Sequence, residues 1–123
     1  MKFLITFFVL PFFILSCGSG GGNKMKDPVD ITKNPDYQKG LTLVANNKCL
    51  TCHSINETVT GPPYSEIAKK YASMPDTIVS HLAGKIISGG AGVWGQIFMT
   101  PHPDLSKEDA ETMVRYILLL GKQ

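Results

Sequence analysis

No run of apolar residues in this sequence reaches the roughly 20 that a membrane-spanning helix needs. The longest, Phe3 to Leu15, has 13 and is broken by Pro11. A charge excess is also lacking: 12 Lys and Arg stand against 10 Asp and Glu, a formal net charge of +2. Lys2 is the only charged residue before position 17, so the rest of the chain carries +1. Nucleic acid is not an expected partner for so even a balance. Period-two alternation of apolar and polar residues is missing over any useful length, which argues against a sheet protein. No ordinary A-x-A cleavage site follows the apolar run. Cysteine is scarce as well. The count of 3 would leave a stray thiol in an oxidising compartment if two of them paired.

A short apolar run behind a single lysine reads as the h-region of a signal peptide. It ends in Ile14-Leu15-Ser16-Cys17. That ending resembles the bacterial lipobox, in which a cysteine is diacylated on sulfur and becomes the new N-terminus. An ordinary secretory leader with a chance cysteine is the plainer alternative. After Cys17 the composition turns to Gly18-Ser19-Gly20-Gly21-Gly22 and then to Lys, Asp, Asn and Pro, a composition expected of a flexible tether. The expected organisation is a leader over residues 1–16, a lipidated Cys17 with a tether over 17–34, and one domain over 35–123.

Within that domain, Asn34-Pro35 supplies an N-cap followed by proline at the first helical position. Tyr37, Leu41 and Val44 recur behind it at helical spacing, so the first helix is expected over about Pro35 to Asn47. A short second helix is expected from Tyr64 to Ala72. A third should follow Pro75 with Ile78, Leu82 and Ile86 as its buried stripe. Gly89, Gly90, Gly92 and Gly95 interrupt regular structure, and the stretch through Pro103 is expected to be an irregular loop. The last helix starts at Ser106 with Asp109, a capping-box-like pair. Its face is Ala110, Met113, Val114, Ile117 and Leu118. The domain is expected to be all-α and short for a self-sufficient core.

Cys49-Leu50-Thr51-Cys52-His53 is a C-x-x-C-H motif. Two thiols at this spacing reach the two vinyl groups on one edge of a porphyrin, and the adjacent imidazole is delivered to the iron. A thioredoxin-like C-x-x-C would need a βαβ context, and a zinc site would need two further ligands at suitable spacing. With Cys17 on lipid and the other two on haem c, no thiol is left over.

From Gly40 onward the sequence resembles the small bacterial monohaem class I cytochromes c of the short-loop type. The resemblance rests on Gly40-x-x-Leu43-Val44, the C-x-x-C-H motif, Gly61-Pro62-Pro63-Tyr64, Gly92-Val93-Trp94-Gly95, Met99-Thr100-Pro101 and Tyr116, in that order. It implies three to five helices around one covalently bound haem, with the first and last crossing near Gly40 and Tyr116. It points to Met99 as the second axial ligand and to the Pro62 carbonyl as acceptor for the ligand histidine. It also sets Trp94 and Lys85 beside a haem propionate. Lys85 reads equally well as a solvated helix residue, and Trp94 as a core indole.

Other ligands compete with Met99. Met113 falls on an apolar stripe and Met25 in the tether. Met74 precedes Pro75 at a helix start, and His81 is committed to a helix. His102 is the closest rival, three residues beyond Met99, at a place where related proteins often carry asparagine. The resulting expectation is a periplasm-facing single-electron carrier, lipid-anchored to the inner or outer membrane. It would have redox protein partners and no small-molecule substrate, and would not be an enzyme. The alternatives are a haem subunit of one oxidoreductase complex, or an open-site haem sensor in which Met99 does not bind.

Overall fold

The computed structural model describes residues 29–122. The leader, Cys17 and most of the tether lie outside them. There are four helices, α1 (Pro35–Asn46), α2 (Tyr64–Tyr71), α3 (Thr77–Ser88) and α4 (Lys107–Leu119); the last three line a cleft, and a two-stranded hairpin, β1 (Gly90–Gly92) and β2 (Gly95–Met99), closes one side of it.

Local signals mark the starts of α1 and α4 and the end of α3. The Asn34 side chain accepts a hydrogen bond from the Asp36 N–H at 2.9 Å. Pro35 then supplies the first turn's fixed φ. Past the end of α1, Lys48 takes a left-handed conformation with φ of 55°. This sparsely used region turns the chain into the Cys49–Thr51 3₁₀ turn. Ser106 caps α4 by accepting from Asp109 N–H at 3.1 Å. Gly89, at φ of +68°, ends α3. A Cβ there would strike the Met99 carbonyl and lie 2.9 Å from Pro101 N.

The core centres on α4, which buries Ala110, Met113, Val114, Tyr116 and Ile117 against Val44, Tyr64, Ala83 and Ile86. Leu118, expected on this face, is only partly buried. Gly40 is the contact point of α1 with α4: a Cβ there would collide with Tyr116 and stand 2.8 Å from the Thr112 carbonyl. Tyr37 meets Tyr116 edge-to-face at 5.4 Å, and the Arg115–Asp36 ion pair at 3.2 Å ties the same two helices at their rim. On α3, Ala83 and Ile86 are buried while Ile78 and Leu82 are half-buried, Leu82 at the wall of the cleft.

Two expectations change. Residues 89–103 are not wholly irregular: Gly90 pairs with Met99 and Gly92 with Gly95 in an antiparallel ladder, giving a mostly helical fold with a small sheet. The φ angle is 125° at Gly90, 132° at Gly92 and 111° at Gly95. Such angles are open to glycine and strained for other residues, so the turn forms through backbone freedom. The second change lies in the segment assigned to the tether. Ile31–Lys33 form a 3₁₀ turn, and Ile31 is packed away at 4% exposure, so structured chain starts before Asn34.

Candidate haem site

The cleft has a volume of about 260 Å³ and a mainly apolar wall. Cys49 and Cys52 are free thiols at its edge, the first half-buried and the second exposed. Burial pushes the Cys49 thiol up from its ordinary value. The 3₁₀ turn carries His53 directly after them, with its backbone N–H on the Cys49 carbonyl at 3.0 Å.

The loop after His53 folds back on it. Thr60 and Gly61 N–H groups both donate to the Cys52 carbonyl, at 3.2 and 2.8 Å, and Tyr64 N–H donates to the Ser54 carbonyl at 2.9 Å. These bonds set the Pro62 carbonyl 2.7 Å from His53 Nδ1. A carbonyl has no proton to give, so Nδ1 is the donor, and in the neutral ring Nε2 then carries the lone pair. The imidazole has two close neighbours. Tyr64 stacks on it at 5.4 Å with a 21° interplanar angle, and Gly61 lies so close that a Cβ would stand 2.5 Å from its Cε1. Tyr64 is itself buried, and desolvation holds its phenol protonated well above the usual range.

Met99, half-buried at the end of β2, lines the same cleft, as do Trp94 at the hairpin tip, Lys85 on α3, and both other histidines, His81 and His102. His102 is pinned by its backbone N–H to the Ile86 and Ile87 carbonyls at 3.1 and 3.2 Å. Met113 lines the cleft as a buried side chain of α4. Met74 does not belong to this group; it lines a second cleft with Glu111 and Arg115, on another face of α4. Among the described residues, no group of three or more His, Cys, Asp or Glu side chains could hold a metal ion, so a zinc site lacks a ligand set there.

The cytochrome c family model matches residues 37–121, which takes in every element around the cleft. This chain belongs to the cytochrome c family. Cytochrome c-552 of Nitrosomonas europaea is 42% identical over 83 residues, covering 68% of this chain and 80% of that protein. Cytochrome c-551 of Azotobacter vinelandii is 38% identical over 81 residues, covering 66% and 96%. The crystal structure of the wild-type Nitrosomonas europaea cytochrome c552 superposes with a TM-score of 0.60 at 42% identity, over 65% of this chain and 98% of that one. With its single C-x-x-C-H motif, this cytochrome is an electron-transfer protein and not an enzyme, and the family implies covalently bound haem c.

The residues fit that group: two unpaired thiols, an imidazole with a free Nε2, a thioether and an apolar cleft stand together. Three features of the site go beyond the expectations from sequence: the closeness of Gly61 to the ring, the Tyr64 stack, and Lys70, whose Nζ stands 5.3 Å from the Trp94 ring. The first two have a signal, since Gly61 and Tyr64 belong to the Gly61-Pro62-Pro63-Tyr64 string. Lys70 has none.

Proposed function

We propose that this cytochrome is a membrane-tethered single-electron carrier, with haem c held by Cys49 and Cys52 as thioethers and by His53 and Met99 as axial ligands. The observation that carries the reading is the bond of 2.7 Å from His53 Nδ1–H to the Pro62 carbonyl. It holds the tautomer whose Nε2 is available as the ligating nitrogen. Bound haem supplies a one-electron change at iron. His53 and Met99 would both be engaged in holding it and would so deny the metal to small molecules, and a thioether ligand would favour the reduced state relative to a bis-histidine site. Trp94 and Lys85 would meet a propionate. Redox proteins of the envelope are the partners on this reading.

His102 lines the same cleft and is the alternative ligand. A sulfur-bound ferric haem shows a weak far-red charge-transfer band that a bis-histidine haem lacks. Met99→Ala is expected to abolish that band and open ferrous iron to carbon monoxide, with His102→Ala keeping both properties of the parent. A parent without the band, whose site opens on His102→Ala, would overturn the assignment.

Anchoring rests on the Ile14-Leu15-Ser16-Cys17 ending and on the short leader run; among the described residues, no helix is long and apolar enough to cross a membrane. Cys17→Ser should stop incorporation of labelled fatty acid. Undiminished label in that variant rules the lipid anchor out.

A further inference from the structure

Lys69 and Lys70 occupy the last turn of α2, where the carbonyl end of a helix favours cations. Lys69 pairs with Glu66 at 4.0 Å. Lys70 makes no ion pair among the described residues and reaches instead toward the hairpin. Its Nζ lies 5.3 Å from the Trp94 ring centroid and 5.8 Å from that of Tyr71, and these two rings meet edge-to-face at 6.3 Å and 72°. The cation thus spans the end of α2 and the tip of the β-hairpin. Beyond the Gly92–Gly95 pairing and the Tyr71 contact, that tip packs few side chains. Val93, Ile97 and Phe98 are exposed, and Gly92 and Gly95 flank Trp94 with positive φ. Among the described residues, no carboxylate lines the cleft, whereas Lys48 and Lys85 do.

From this cluster we infer that Lys70 is a positioning residue that seats the Trp94 indole on the haem cleft and, by its charge, raises the reduction potential. The inference rests on the reading of the cleft as the haem site. Ferric haem carries one more positive charge than ferrous haem, so a cation held behind the Trp94 wall of the cleft disfavours the oxidised state. The charge is exposed and therefore screened by salt. An ammonium over the indole face also interacts with the ring's negative quadrupole, and the face-on seat restrains the indole.

The test is a redox titration of the holoprotein at low and high ionic strength. Lys70→Met keeps the apolar stem and removes the charge; Lys70→Arg keeps the charge and a cation over the ring. The Lys70→Met potential should fall below the parent, with the gap narrowing as salt is added, and Lys70→Arg should stay with the parent. The chain has 1 Trp, so the indole N–H proton resonance of the ferrous protein reports Trp94 alone, and it should shift in Lys70→Met and not in Lys70→Arg. Coincident potentials and indole resonances for parent and Lys70→Met overturn the inference, as does an equal fall in both variants. Absence of the far-red band from the parent would instead sink the Met99 assignment and leave this comparison readable.

Discussion

Gly61 shows how one residue's smallness determines the chemistry of another. Any side chain at this position must share space with the His53 ring, since a Cβ would lie 2.5 Å from Cε1, 2.8 Å from Nδ1 and 3.0 Å from Nε2. Tyr64 stacks on the same ring, so a shift of the imidazole also disturbs that stack. Gly61→Ala is therefore expected to displace the ring and lengthen its bond to the Pro62 carbonyl. Overpacking of this kind costs about 1–3 kcal/mol. Weakening the donor bond makes the imidazole a poorer electron donor to iron. The variant should melt lower than the parent and show a raised reduction potential. A crystal structure of the variant with the 2.7 Å bond intact, together with an unchanged potential, would count against this account of Gly61.

The helices are legible in the sequence because their signals are local. Asn34-Pro35 and Ser106-x-x-Asp109 mark two starts at the observed places, and the Ala110, Met113, Val114 and Ile117 stripe is the buried face of α4. The ligand-bearing pieces differ in kind: C-x-x-C-H is contiguous, while Met99 is legible only through resemblance. The hairpin is not legible, for a physical reason. Its strands are three and five residues long, and β2 is exposed at every position but Met99. There is then no buried face to imprint alternation on the sequence. What specifies the hairpin is a set of glycines at positive φ, and glycine looks the same in a loop as in a turn. The Ile31 packing is hidden by its setting, an isolated apolar side chain between Asp30 and Thr32 with no periodic partner, and the Lys70–Trp94 contact by a separation of 24 positions in sequence.

At the scale of the whole molecule, the helices leave their middle to something other than protein. The fully packed cluster is small, nine residues of which two are alanines, and several apolar side chains, among them Leu82, Ile86, Met113, Val114 and Ile117, line the cleft. The ion pairs among the described residues add little to so small a cluster. They lie at or near the surface, where such pairs contribute about 0–1 kcal/mol each. Haem is thus expected to act as the centre of the core as well as the redox group. Cys49→Ala, Cys52→Ala protein made without haem should have weak helical circular dichroism and no cooperative thermal transition. Adding free haem to it should restore helix, since the His53 and apolar contacts survive the loss of both thioethers. Native-like helix content with a sharp melt in the haem-free variant would mean that the four helices pack without their cofactor.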